Sequence, residues 1–312
     1  ASRLRLTLEP AEDLSIRLGL EYAPLRKQLK EMVRRGLISA GPVEGGVGYG
    51  LMPFVVGIYE MQAGRLDAET AELFEQYYHE AFGQMVAVQP SVHRVVPVNE
   101  SVRRDLAVYP YESAAEIIAS RKAWGVLDCL CRTQQALIGK PCPHPVDVCM
   151  VFSDKPGAFD HNDTVRALTQ EEALATLHRA AEAGLVHSVS NNQQGITYCC
   201  TCACGVLRGM ADLGIANVIA RSSYVNTVDE DLCMLCGSCV EKCQFGALEL
   251  DTSLVIDVQR CTGCGVCTLA CPEGALTLVL RPEAEQPVIF ETEEDWLKAR
   301  AESRGLDLNE VL

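Results

Sequence analysis

The chain lacks the long apolar run that a membrane-spanning helix needs. Its apolar stretches, such as Leu276-Thr277-Leu278-Val279-Leu280, fall far short of the ~20 residues that cross a bilayer, so no membrane insertion is expected. The opening residues Ala1-Ser2-Arg3-Leu4-Arg5 lead into no apolar segment, so a cytoplasmic location is expected rather than secretion. No Ser/His/Asp constellation, dinucleotide fingerprint or flavin motif is present. Gly45-Gly46-Val47-Gly48 is not followed by the Lys-Ser/Thr and helix of a phosphate loop. Basic charge is scarce where it would matter for nucleic acid. Residues 226–312 hold six Lys/Arg against 17 Asp/Glu, and the whole chain carries −15, so nucleic acid is not expected as a partner.

What the chain has is a globular composition, 48% hydrophobic and 22% charged, and a length of 312 residues. It also has 16 cysteines. A small secreted protein would use that number for disulfides. Here the length and the absence of a leader argue against disulfides, and the spacings are those of metal thiolates.

Cys233-x2-Cys236-x2-Cys239-x3-Cys243 is followed by Cys261-x2-Cys264-x2-Cys267-x3-Cys271-Pro272. The segments Cys233–Leu250 and Cys261–Leu278 align at a 28-residue offset with nine of 18 positions identical, which implies a pseudo-symmetric unit. Three thiolates of each run can wrap one face of a cubane, while the fourth reaches the other cluster. Cys233, Cys236, Cys239 and Cys271 are thus expected to hold one [4Fe–4S] cluster. Cys261, Cys264, Cys267 and Cys243 are expected to hold the second. The pattern resembles the bacterial dicluster ferredoxin module. One departure is visible: Gln244 stands where the second run has Pro272.

Eight more cysteines lie upstream, as Cys129, Cys131, Cys142 and Cys149, then Cys199, Cys200, Cys202 and Cys204. The simplest assignment is a third [4Fe–4S] cluster on Cys129, Cys131, Cys142 and Cys149. Cys-x-Cys on an extended segment turns both thiols to one face, and Pro141-Cys142-Pro143-His144-Pro145 is a stiff wall. The second group would hold another metal centre or complete the first. Adjacent Cys199 and Cys200 point different ways, so not all four of that group serve one ion. A mixed arrangement with ligands from both groups stays open, as does a zinc site. His144 and His187 read first as structural imidazoles and second as ligands or donors beside them. Arg132 is open between donating to a cluster and an ordinary salt bridge.

Near the N-terminus, Leu25, Leu29, Met32 and Val33 recur at helical spacing, interleaved with Arg26, Lys27, Lys30, Arg34 and Arg35, and a glycine-rich hairpin follows. This resembles a winged helix-turn-helix domain. With Cys129-Leu130-Cys131-Arg132, Gly139-Lys140-Pro141-Cys142, Cys149-Met150-Val151-Phe152, Ala183-Gly184-Leu185-Val186-His187 with Asn191 or Asn192, and Cys199–Cys204, the chain is similar to iron–sulfur proteins of anaerobes that combine such a segment with a C-terminal dicluster module. The expected fold is α+β. A winged-helix-like domain spans 1–65, a mixed cysteine-rich domain 66–225, a dicluster ferredoxin domain 226–282, and a helical tail 283–312. The resemblance implies an electron-transfer subunit rather than a stand-alone enzyme, relaying electrons between a ferredoxin or flavoprotein and a catalytic oxidoreductase subunit. The rival is a cluster-based redox-sensing transcription regulator, which the acidic balance disfavours: residues 1–60 net only +1.

Overall fold

The computed structural model describes residues 3–98, 102, 113–190, 195–215, 218–290 and 292–307; Asn191 and Asn192 lie outside them. The chain divides into two compact units, residues 1–66 with 301–312, and residues 67–300. Helices and sheets are mixed throughout, consistent with an α+β fold.

In the first unit a short strand, β1 (Glu9–Pro10), precedes α1 (Ala11–Leu18) and α2 (Tyr22–Arg34). The hairpin β2 (Ser39–Val43) and β3 (Gly46–Gly50) follows. Both β1 and β2 pair antiparallel with β3. Leu25 and Leu29 sit one turn apart on α2 and bury against Leu14, Ile38 and Tyr49, while Arg26, Lys27 and Lys30 stay exposed. Arg34 and Arg35 both bond Glu31, each with a contact of 2.7 Å, and hold its carboxyl down at about 2. Two of the five helix cations are therefore paired within their own helix.

The second unit opens with α3 (Ala68–Tyr77), capped by Asp67, whose carboxylate accepts from the Thr70 N–H. A wide helical turn at Tyr78–Phe82 leads into α4 (Gly83–Val86). The centre is a six-stranded antiparallel sheet. Its strands are β4 (His93–Val95), β5 (Ala123–Leu127), β6 (Cys149–Ser153), β7 (Arg166–Leu168), β8 (Val186–Ser190) and β9 (Gly195–Cys199), in the order β4-β8-β9-β6-β5-β7. Helix α5 (Ala114–Ala119) precedes β5, α6 (Leu130–Leu137) lies between β5 and β6, α7 (Gln170–Glu182) precedes β8, and α8 (Arg208–Asp212) follows β9. Ile117 and Ile118 of α5 and Leu177 and Ala180 of α7 pack with Val126, Met150, Val189 and Ile196 of the sheet. A reciprocal capping box opens α7, Thr169 accepting from the Glu172 N–H and Glu172 from the Thr169 N–H.

Register decides where the cysteines go. Strand β5 ends at Leu127 opposite Cys149, the first residue of β6, and β6 pairs β9 through Met150 and Ile196. The exit of β5, the entry of β6 and the exit of β9 therefore share one end of the sheet. Cys129, Cys149 and Cys199 meet there although they are far apart in sequence.

The rest of the unit is the cysteine repeat. Strand β10 (Tyr224–Val228), α9 (Ser238–Lys242) and β11 (Leu248–Leu250) are followed by β12 (Leu254–Ile256), α10 (Val266–Leu269) and β13 (Leu276–Leu280). Strand β10 pairs β13 and β11 pairs β12. The 28-residue offset carries α9 onto α10 and β11 onto β13. This module and the central sheet fall within one compact unit, tied by Ser222 N–H to Thr262 O at 3.0 Å and Val98 N–H to Cys264 O at 3.0 Å. A last helix, α11 (Glu293–Glu302), is capped by Thr292, and its Arg300 donates to Val88 O and Pro90 O at 2.7 Å.

One ion pair fastens the helices that carry thiols. Glu75 of α3 accepts from Arg208 of α8 at 2.7 and 3.0 Å and from Gln135 of α6 at 3.0 Å. Arg208 also reaches Asp212 at 2.8 Å and lies 4.5 Å over the Tyr78 ring. Burial opposes the charge on Glu75, but Arg208 outweighs it and brings the carboxyl down to about 2. Helix α6 contains Cys131 and α8 follows Cys204, so Glu75 holds both in register. Glu75→Gln leaves Arg208 with Asp212 alone. It is expected to cost about 3 kcal/mol, read as a fall in the anoxic thermal unfolding midpoint at neutral pH; an unchanged midpoint would show that the pair is dispensable.

Candidate metal centres

In the C-terminal repeat, Gly237 and Gly265 cap α9 and α10 with φ of +78° each, so both three-cysteine loops turn into their helices the same way. Cys233, Cys236, Cys239 and Cys271 line one cavity, together with Met234, Leu235 and Pro272. The lone cysteine of the second run thus lies with the three of the first. The reciprocal set is also drawn together. The thiol of Cys267 is pushed up by burial and then by Cys264, Cys243 and Cys261. That of Cys264 is pushed up to about 12 by burial, with Cys261 and Cys243 adding to it. Backbone amides aim at the sulfurs at equivalent places, Ala247 N–H to Cys243 Sγ and Ala275 N–H to Cys271 Sγ, both 3.3 Å. Asn226 adds a side-chain donor to Cys267 Sγ at 3.1 Å.

Residues 232–275 match the family described as a 4Fe-4S dicluster domain. The chain therefore carries an iron–sulfur module of ferredoxin type. Neither the curated proteins nor the solved structures give a match. Among the described residues, no helix is long and apolar enough to cross a membrane.

The two halves of the dicluster domain differ in exposure. Cys236 is exposed, and Leu232, Met234 and Leu235 beside it are 48%, 68% and 43% exposed. Cys261 and Cys267 are buried. The repeat explains a residue difference here. Leu235 and Gly263 occupy equivalent positions and both have left-handed backbones, φ +55° and +70°. Leu235 can point outward. A Cβ at Gly263 would overlap Tyr224 O and the Ser222 hydroxyl.

The eight central cysteines fall into two groups that cut across the sequence order. Cys142 Sγ lies 3.6 Å from Cys200 Sγ, 3.3 Å from Cys202 Sγ and 3.1 Å from His144 Nδ1. His144 Nδ1 is 3.8 Å from Cys202 Sγ. Among the described residues, this is the one group of three or more Cys, His, Asp or Glu whose ligand atoms all lie within 4.8 Å of each other. The second group is Cys129, Cys131, Cys204 and Cys199, whose thiols lie close enough to shift one another's protonation in that order. Cys131 is the acceptor at its centre, held well below the usual thiol range by Cys129, Cys204 and the Gly205 N–H. Cys149 is close enough to act electrostatically on Cys129.

The expected grouping of Cys129, Cys131, Cys142 and Cys149 is therefore not the set of contacts that forms. Cys142 joins His144, Cys200 and Cys202, while Cys129 and Cys131 join Cys199 and Cys204. The cause is alternation: Cys199 ends β9 and Cys200 follows it, so adjacent side chains leave in opposite directions. Each enters a different group.

Two charged or polar residues fit thiolate centres. Arg132 is 2% exposed and donates to Pro145 O at 2.9 Å, Tyr198 O at 2.7 Å and Cys200 Sγ at 3.7 Å. Burial works against its charge, and the thiols of Cys129, Cys200 and Cys199 reverse that and hold it protonated. His93, not singled out by the sequence, is buried near Cys131 with its Nε2 unpartnered and its pKa pushed down to about 4 by burial. It sits in β4, which the chain brings beside β8, and no local motif marks it. His187 is buried edge-on to Tyr198 at 5.0 Å, facing away from Cys199 across the pleat. Both its ring nitrogens are buried without a hydrogen-bond partner among the described residues, and burial pushes its pKa down to about 3.

Gln244, the departure from proline, is explained as well. Its Oε1 accepts from the Thr201 N–H at 2.8 Å and its Nε2 donates to Gly184 O at 2.6 Å. The residue after Cys243 is thereby pinned to the residue between Cys200 and Cys202.

Gly263→Ala is expected to displace the Cys261–Cys267 loop and to remove about four irons per chain, measured as iron and acid-labile sulfide under anoxic conditions. Undiminished iron would mean the loop yields without losing its cluster.

Proposed function

We propose that the protein is an electron-transfer subunit that relays electrons between a ferredoxin or flavoprotein and a catalytic oxidoreductase subunit in the cytoplasm of an anaerobe. The observation that carries this reading is the crossed pairing of the cysteine runs, one set opening at the surface and the other buried against the central sheet. Cys233, Cys236, Cys239 and Cys271 hold the outer [4Fe–4S] cluster. Cys261, Cys264, Cys267 and Cys243 hold the inner one. The clusters supply one-electron chemistry; the chain supplies spacing, burial and hydrogen bonds to sulfur.

The outer site suits docking. Exposed Leu232, Met234 and Leu235 offer apolar contact, and exposed Asp229, Glu230, Asp231 and Glu273 surround them with negative charge. A donor with a basic rim fits that surface. The inner site leads inward, because Gln244 ties the residue after Cys243 to the central cysteines. Cys129, Cys131, Cys199 and Cys204 then hold a third [4Fe–4S] cluster, replacing Cys142 and Cys149 of the simplest sequence assignment. Their thiols spread beyond the span of a single ion, as the thiols of the dicluster domain do. Cubane thiolates sit one bond further out than the ligands of one ion.

Anoxically purified full-length protein is expected to contain about 12 irons and 12 sulfides per chain. Mixing with reduced ferredoxin should bleach its visible absorption within the mixing experiment. Zinc without labile sulfide, or clusters that ferredoxin leaves oxidised, would sink the proposal.

Asn226 gives a finer test. A hydrogen bond to a thiolate favours the reduced, more negative cluster. Asn226→Leu should therefore lower the midpoint potential of the inner cluster by roughly 40 mV, which corresponds to about 1 kcal/mol for one electron. The outer cluster should stay at its parental value in the same EPR-monitored titration, and equal shifts of both would exclude a local effect.

A further inference from the structure

We propose that Cys142, His144, Cys200 and Cys202 form a mononuclear zinc site, separate from every iron–sulfur cluster in the chain. The proposal does not depend on the electron-transfer reading. It concerns His144 and three of the four central cysteines that the cluster assignment leaves over; Cys149 is the fourth.

Spacing is the first argument. Zinc bound to thiolate at about 2.3 Å and to imidazole at about 2.0 Å makes a tetrahedron with edges of about 3.8 Å between sulfurs and about 3.5 Å from sulfur to nitrogen. The observed separations are 3.3 and 3.6 Å between sulfurs and 3.1 and 3.8 Å from sulfur to Nδ1. The dicluster domain is an internal comparison. None of its cysteine sets packs its sulfurs within 4.8 Å of each other, whereas this group does so with all four ligands.

Ligand type is the second argument. Three cysteines and one histidine are a closed structural zinc set. The pattern Cys142-x-His144 on a stiff proline loop, with Cys200-x-Cys202 on the turn after β9, supplies two ligands from each of two segments. One ion would therefore staple residues 142–144 to residues 200–202.

Charge is the third. Three thiolates, a neutral imidazole and Zn²⁺ sum to −1. Arg132 is a buried guanidinium bonded to Cys200 Sγ and two carbonyls, and no carboxylate reaches it among the described residues. A lone buried cation is costly. The anionic zinc–thiolate centre, bonded to it through Cys200 Sγ, supplies counter-charge on that side. The site also fixes Thr201, whose N–H meets Gln244. The staple thus holds the seam between the central domain and the dicluster domain.

The test is zinc K-edge absorption spectroscopy on full-length protein purified without oxygen, because it reads zinc regardless of the iron present. About one zinc per chain is expected, with three sulfurs near 2.3 Å and one nitrogen near 2.0 Å. His144→Ala and Cys202→Ser should each lose the zinc while keeping the parental iron and sulfide content. Cys131→Ser should do the opposite, losing about four irons and keeping the zinc. The two arms separate failure of this site from failure of the third cluster. Less than stoichiometric zinc after growth in zinc-supplemented medium, a first shell of oxygen and nitrogen only, or loss of about four irons from His144→Ala would overturn the proposal.

Discussion

A full positive charge buried with no carboxylate on it among the described residues is the constraint around which the central domain is arranged. Arg132 leaves Cys131 on helix α6 and threads between Pro145, Tyr198 and Cys200. Its two carbonyl bonds fix its direction but supply no compensating charge. That compensation has to come from sulfur. Thiols on both sides of the guanidinium, Cys129 and Cys200, hold it charged against burial. A thiolate among those sulfurs would supply it. The same buried cation is near cysteines of both groups.

Around that cation the scaffold is rigid where ligands leave it. Register brings the ends of β5 and β9 and the start of β6 to one edge. Glu75 then clamps α6 and α8, the helices next to Cys131 and Cys204, through Gln135 and Arg208. Small rotations of either helix would carry a thiol away from its partners. The dicluster domain is organised differently. Its two copies build their own loops by local backbone geometry, and its sheets hold them as a pair. The link through Gln244 and the backbone bonds at Ser222 and Val98 are among the contacts that tie it to the central sheet.

Exposure gives the molecule a direction. One cysteine set lies under exposed apolar side chains with acidic neighbours, and the other is sealed by Ser222, Tyr224 and Val98. In the proposed relay, electrons enter at the surface set and move inward, and the central thiols lie beyond Gln244. The first unit, with its helix pair and hairpin, contributes no thiol. Its paired Arg34 and Arg35 further reduce the basic face that a nucleic-acid contact would use.

The crossed cysteine runs were legible in the sequence because their chemistry is local. Three cysteines on one loop and a fourth one turn on are close by virtue of chain connectivity, and the 28-residue repeat doubles the statement. The hairpin after α2 was readable for the same reason. The central grouping was not. Cys142 and Cys149 are near Cys129 and Cys131 along the chain, yet Cys142 meets Cys200 and Cys202. His93 carries no motif at all. The role of Gln244 could be seen only as a missing proline. Those placements depend on strand order, on which face of β9 each adjacent cysteine takes, and on a buried arginine that selects its sulfur partners. Sequence by itself determined that this is an iron–sulfur protein of ferredoxin type with two repeated cysteine runs. Tertiary structure decided which of the remaining thiols lie together, because sheet register brings together residues that chain proximity keeps apart.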